Sequence, residues 1–401
     1  MRSHKLNIAV FLLTIFLFSM FNLLNYPKPT ISVYENRALQ ARPSFSVRAL
    51  FRGRFFRDYE AYFADTFVGR EQLVKANSRL QDWRGLNNEV SIVTHEGDNT
   101  AGQGKDDEVR QALDGRILCV GDTAGYIHRF VPESTRYYAQ TVDMFAQHLP
   151  PDVQTYTLLA PTLIDFMPEK YQALSVPAEQ VIGDVYSHLQ SNAKPVDALA
   201  LMQAHADEYL FFRTDFHWTA TGAYYAYAAF MEARGVDPVP LESYSVTEVE
   251  GFLGSMHSRF LSKQMEANPD TVQLYHPFVD HEYHLLRDGR QIPLPVLDMS
   301  HAENKNKYGI FLSGDRPLAK IVTSQEQLGK IMVIKDSYGN AFVPFLIPHY
   351  SEIYIVDPRH YKQPVIDLIV SEGIDEVLIL NNVMVVESND IADIIRELIA
   401  D

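Results

Sequence analysis

The last third of the chain constrains its fold most, because short unbroken apolar runs there alternate with helical periodicity. Lys330–Ile334, Ile353–Val356 and Glu376–Leu380 each read as a strand with no polar face. Ala341–Leu346 begins a helix between them, and Val365–Glu372 and Ile391–Ile399 carry helical stripes. A strand that is apolar on both faces must be covered on both, and crossover helices bring successive strands parallel. The sequence therefore predicts an α/β fold, a parallel sheet covered by helices on both faces. The same alternation starts at Ile117–Val120 and continues through a helix over Ser134–Leu149, with its stripe on Tyr138, Val142, Phe145 and Leu149. A strand at Gln154–Ala160 and a helix over Ala178–Ser191 follow. Tyr244–Ser262 and Thr271–Leu294 read as β-rich and irregular, with a turn at Gly251–Ser255.

In open parallel sheets, binding sites form beyond the carboxyl ends of the strands. Ser337, within Lys335-Asp-Ser-Tyr-Gly-Asn340, falls at such an end, between a buried strand and a helix start. Two readings stay open. In one, Ser337 caps the helix. In the other it is a nucleophile, with an oxyanion served by N–H groups at the helix start, by close approach at Gly339 and by a side-chain donor on Asn340.

A nucleophile needs a base. Arg213-Thr-Asp-Phe-His-Trp-Thr219 offers one, because Asp215 and His217 stand two residues apart and leave the same face of an extended segment. Asp215 then holds one tautomer of His217 and stabilises the imidazolium, while Ser337 gives its proton to His217 and attacks an acyl carbonyl. Thr219 or Thr221 caps a helix that Gly235 ends, with the positive helix end near His217. Arg213, Trp218 and Arg359 are candidates to line the site, and Thr123, after Gly121-Asp122, is a backup nucleophile. Release of the acyl-enzyme by water makes an esterase, and release by a sugar hydroxyl makes a transferase. A degenerate site would leave a non-catalytic glycan-binding or scaffold protein.

Arg2, His4 and Lys5 precede an apolar stretch from Leu6 to Leu24. At ~1.5 Å per residue this length approaches the hydrocarbon thickness of a bilayer. No small-x-small cleavage site follows, so the stretch reads as an uncleaved signal anchor with everything after Pro27 outside the cytoplasm. A cleaved signal peptide is the alternative. The domains expected are a membrane anchor over 1–25, a tether and helical region over 26–95, and a catalytic domain over 96–401. In the second of these, Phe51, Phe55, Tyr59, Tyr62, Phe63 and Phe67 recur at helical steps.

Several function classes fall away. Gly97–Lys105 has the wrong glycine-to-lysine spacing for a phosphate loop and is followed by Asp106. The single Cys119 excludes an intramolecular disulfide framework and a Cys-rich zinc site. His281-Glu-Tyr-His284 is one residue short of a zinc-protease motif, and neither a metal nor another cofactor is expected. A net charge of −16 argues against a nucleic-acid binder, which would carry a basic stripe.

Thr214-Asp-Phe-His-Trp-Thr219 followed by Gly222-Ala-Tyr-Tyr225, together with Lys335-Asp-Ser-Tyr338, resembles the DHHW family, which is similar to the alginate O-acetyltransferase (SGNH-hydrolase-like) proteins. Glu35-Asn-Arg37, Pro161-Thr162, Gly254-Ser255, Pro344-Phe-Leu346 and Asp357-Pro-Arg359 extend the resemblance over most of the chain. Phe216 departs from it, standing where the family name has its first His. The resemblance implies a flavodoxin-like, SGNH-hydrolase-type sheet in permuted order, with the Asp-x-His ahead of the serine and Asp215, His217 and Ser337 at the matching positions. It also implies a membrane-anchored extracytoplasmic O-acetyltransferase. The substrate would be an exopolysaccharide or cell-wall polymer, and a membrane-bound O-acyltransferase the partner.

Overall fold

The structure, a computed structural model, describes residues 10–14, 16–17, 20–22, 27–32, 37–52, 54–73, 76, 90–93 and 116–399. The chain divides into two units, Met1–Asn88 with Asp98–Gly104, and Glu89–Gly97 with Lys105–Asp401. In the first unit, strands Ile31–Ser32 and Arg37–Ala38 pair antiparallel ahead of helices Val47–Phe51 and Arg54–Asp65. The aromatic residues at helical steps meet one another along the second helix, Phe55 with Tyr59 at 6.0 Å and Tyr59 with Tyr62 at 5.9 Å. Among the described residues no helix is long and apolar enough to cross a membrane. Of the predicted anchor Leu6–Leu24, residues 10–14, 16–17 and 20–22 are helical and the rest lie outside the described residues, as does all of Gly97–Lys105.

The second unit is built on an eight-stranded sheet. Across it the strands run Arg290–Leu294, His281–Arg287, Leu318–Thr323, Glu352–Val356, Lys330–Lys335, Glu376–Asn382, Gln154–Ala160 and Lys194–Val196. The last five are mutually parallel, and the first three join one edge antiparallel. The sheet is thus mixed rather than wholly parallel as predicted. The cause is local. Asp288 and Gly289 both take positive φ, 52° and 70°, and so form the tight two-residue turn that pairs Arg287 with Arg290. Such a hairpin joins only antiparallel strands.

Side chains on the central strands alternate between two cores, as the two-residue period of a strand requires. Ile331 and Val333 enter one core, and Met332 and Ile334 the other. Helices Pro132–Gln147, Ala178–Ser187, Ile366–Glu372 and Asp390–Glu397 cover the second core, with Tyr138, Val142 and Phe145 fully buried as their stripe predicts. The first core is closed by helix Ala220–Arg234, buried over most of its length. Thr219 caps this helix by accepting the Gly222 N–H at 3.2 Å, and Gly235 ends it at φ 74°. Gly222 has no alternative, since a Cβ there would lie 2.3 Å from the Leu210 carbonyl oxygen. The helix start is therefore pressed against the segment that carries Asp215 and His217.

Candidate active site

Ser337 follows the carboxyl end of strand Lys330–Lys335, which lies inside the parallel block between Glu352–Val356 and Glu376–Asn382. Asp215 and His217 lie in the loop that the Phe211–Trp218 bridge closes, just ahead of the buried helix. The fold brings the two together across 120 residues of chain: Ser337 Oγ is 2.7 Å from His217 Nε2, and His217 Nδ1 is 2.6 Å from Asp215 Oδ1. Within Asp336–Asn340 only Ser337 is not buried. Its hydroxyl therefore meets the imidazole instead of capping the helix. Asp336 holds the turn, its Oδ1 accepting the Tyr338 N–H at 2.9 Å and its Oδ2 accepting both N–H and Nδ2 of Asn382 at 2.8 Å.

Asp215 is fully committed. Oδ1 also accepts the His217 N–H at 3.0 Å, and Oδ2 accepts the Ser255 N–H at 2.7 Å. Burial alone would push this carboxyl up, but the neighbouring His217 and these hydrogen bonds outweigh it and hold the pKa below the ordinary value. A carboxylate only accepts, so Nδ1 donates to it and Nε2 turns a lone pair toward Ser337. Thr214, next in the chain, donates its N–H and hydroxyl to the buried Asp270 at 2.8 and 2.7 Å. Asp270 also receives Arg213 Nε at 3.1 Å and the Tyr209 hydroxyl. The His217 ring touches the rings of Phe216 and Tyr308. In chemical terms this is an arrangement that can make a hydroxyl nucleophilic, through an imidazole that a buried carboxylate orients.

The residues expected around this chain occupy other posts. Of the N–H groups at the helix start, expected to serve an oxyanion, those of Gly339 and Asn340 close the turn by donating to the carbonyls of Asp336 and Ser337, both at 3.1 Å. Among the described residues the Ser337 amide makes no hydrogen bond, so the unspent donor sits on the serine itself. Asn340 is buried, its Oδ1 accepting Lys335 Nζ at 2.6 Å and its Nδ2 donating to Asp315 at 2.8 Å. Trp218 is closed to solvent and donates Nε1 to the Tyr338 carbonyl at 2.9 Å. Arg359 is forked onto Asp357 and Asp315. Arg213 is bound by Asp270 and the carbonyls of Asn268 and Pro269, with about a third of its side chain (31%) still exposed. Thr123 lies on strand Thr123–Tyr126 with its hydroxyl on the Asp122 carboxylate, and among the described residues no imidazole bonds to it. Three groups, Asp315, Asp357 and His360, bring ligand atoms within 4.8 Å of one another. Lys335 and Arg359 already neutralise those carboxylates, so a dication would have to displace them.

Sequence reasoning missed Tyr308, Asp270, Ser255 and Asp315. One signal for Ser255 was present in the Gly254-Ser255 pair, because a Cβ at Gly254 would lie 2.3 Å from Asp215 Cβ.

The model of the DHHW protein family matches residues 92–356. No curated protein matches the chain. Among solved structures, a DHHW family protein from Eubacterium siraeum is similar at a TM-score of 0.63 and 27% identity, covering 71% of this chain and 96% of its own. PatB1 from Bacillus cereus, solved with a sulfonyl adduct, is similar in fold at a TM-score of 0.58 and 18% identity, covering 68% of this chain and 97% of its own. The family match spans more than half of the sequence, and by it this chain belongs to the DHHW family.

Proposed function

We propose that the protein is a membrane-anchored, extracytoplasmic O-acetyltransferase that uses Asp215, His217 and Ser337 as a catalytic triad to acetylate an exopolysaccharide or cell-wall polymer. The observation that carries this reading is the unbroken run of short hydrogen bonds from Asp215 through His217 to Ser337, at 2.6 and 2.7 Å. The Asp-x-His lies ahead of the serine in sequence, the order of a permuted SGNH-type sheet. In the proposed organisation, 1–25 anchors the chain, 26–95 tethers it and 96–401 carries the site. A membrane-bound O-acyltransferase supplies the acetyl donor.

In the first half-reaction Ser337 Oγ attacks the acetyl carbonyl while its proton passes to His217 Nε2. The negative charge on the carbonyl oxygen faces the Ser337 amide. Collapse breaks the bond to the leaving group, which takes the proton from His217, and leaves acetyl-Ser337. In the second half-reaction a polymer hydroxyl gives its proton to His217 and attacks the acyl carbon. The acetyl ester of the polymer forms and the serine hydroxyl is restored.

The test is turnover of a chromogenic acetyl ester, with mass spectrometry for an acetyl or sulfonyl adduct on Ser337. The Ser337→Ala variant is expected to lose both, with turnover falling by about 10³-fold or more. Adding candidate glycans separates transfer from hydrolysis, since an esterase gives only free acetate. A folded wild-type protein with neither turnover nor adduct would overturn the enzyme reading and leave a non-catalytic glycan-binding protein.

A further inference from the structure

Lys335 ends the strand that leads into Ser337, and only 1% of its side chain is exposed. Burying an ammonium costs several kcal/mol unless it is paired and hydrogen-bonded, and an apolar residue of similar volume often serves stability as well. A lysine kept there asks for a reason.

Its Nζ lies 2.6 Å from Asn340 Oδ1, 3.2 Å from Asp315 Oδ1 and 3.5 Å from Asp357 Oδ2. Arg359 closes the network, 2.9 Å from Asp315 Oδ2 and 2.6 Å from Asp357 Oδ2. Two cations and two carboxylates thus balance. Lys335 precedes the nucleophile turn and Asn340 follows it, so the contact between them draws the two ends of Asp336–Gly339 together. The lysine stem also runs along Gly339, where a Cβ would lie 2.6–2.9 Å from its Cβ, Cγ and Cδ. On the other flank Asp336 ties the same turn to Asn382. The turn is held from both sides, and Ser337 is the one residue in it left open.

We infer that Lys335 is a positioning residue for Ser337, which through Asn340 and the Asp315–Arg359–Asp357 network fixes the turn so that Oγ stays in line with His217. The inference rests on Ser337 being the nucleophile. A displacement of about 1 Å at a reacting atom can cost ~10²-fold in rate, so a side chain that never touches substrate can still govern turnover.

Two variants of the full chain test it. Lys335→Met with Asp315→Asn keeps the volume and restores charge balance, but removes the ammonium that binds Asn340. Asn340→Ala leaves all four charges paired and removes only the link to the far end of the turn. Both are expected to slow sulfonylation of Ser337 and kcat for an acetyl ester by about tenfold or more with KM nearly unchanged. Amides of the 337–340 segment should exchange faster with deuterium while the Glu376–Asn382 strand stays protected. Wild-type rates in both variants, with wild-type protection of the turn, would overturn the inference. A merely structural charge balance gives the same refutation if the double variant recovers stability and rate together. Wild-type protein that is neither sulfonylated nor active would overturn the nucleophile and the inference with it, a result distinct from reactive wild type and equally reactive variants.

Discussion

The ring of Tyr308 lies 3.8 Å from that of His217 and within 9° of parallel, while its hydroxyl donates to the Ser337 carbonyl oxygen at 3.1 Å. One buried side chain thus touches both the proposed base and the backbone of the proposed nucleophile. In the proposed mechanism positive charge develops on this ring as His217 accepts the serine proton, and an aromatic face attracts a cation. Tyr308→Phe keeps the face and loses the hydroxyl, whereas Tyr308→Leu loses both. Acetyl-ester turnover is expected to fall by about threefold to tenfold in the first and about a hundredfold in the second. Equal rates in the two variants would show that the stack contributes nothing.

Gly254 is fixed by Asp215. A Cβ at this position would lie 2.3 Å from Asp215 Cβ and 2.4 Å from Oδ2, atoms of a side chain whose place is set by its hydrogen bonds to His217 and Ser255. Gly254→Ala is expected to push Asp215 off His217 and lower kcat by about 10²-fold, because the imidazole loses its orienting partner. Unfolding in urea should report a much smaller loss than for a core truncation. A variant with wild-type kcat would mean that the loop moves aside freely.

Asp270 accepts from Thr214 N–H and hydroxyl, Arg213 N–H and Nε, and the Tyr209 hydroxyl, all at a fully buried carboxylate. Asparagine has one acceptor oxygen, and its NH₂ would face donors. Asp270→Asn is therefore expected to lower stability by about 3 kcal/mol, the usual scale for breaking a buried charged network. Chemical denaturation of both proteins at pH 7 decides it, and a change under about 0.5 kcal/mol, ordinary for a surface site, would sink the argument.

These residues also show where the sequence is legible. Strands such as Gln154–Ala160 announce themselves through unbroken apolar runs, and the helix after Thr219 through its cap and Gly235. Asp215, His217 and Ser337 could be paired because a local spacing met a strand-end position. What a polar side chain faces is another matter. Asn340 and Arg359 have the chemistry of ligand-binding residues, yet each is claimed by Asp315, 25 and 44 positions away. Arg213 is claimed by Asp270 at a separation of 57. Such partners are set by tertiary packing, to which no local periodicity points. Tyr308 sits in a short 3₁₀ segment, Lys307–Ile310, which has no period to read.

Away from the site, His349 gives the protein a pH-dependent stability. The Tyr227 hydroxyl accepts the Val239 N–H at 2.8 Å, so its own proton is free to point at His349 Nε2, 2.6 Å away, which requires a neutral ring. Burial, with the charge of Arg234, pushes the His349 pKa down to about 4. The unfolded chain takes up this proton below about pH 6.5. The folded chain resists until about pH 4. Stability is therefore full above the upper value and declines as pH falls across that window. The ring is partly open to solvent, so the discounted effect is about 1–2 kcal/mol. Urea midpoints at pH 7 and pH 4.5 should draw closer in His349→Gln than in wild type, since glutamine can still accept from Tyr227 but takes up no proton. Other carboxylates titrate in both proteins and cancel in the comparison. Parallel pH dependences would mean that His349 accepts its proton in the folded state as readily as in the unfolded one.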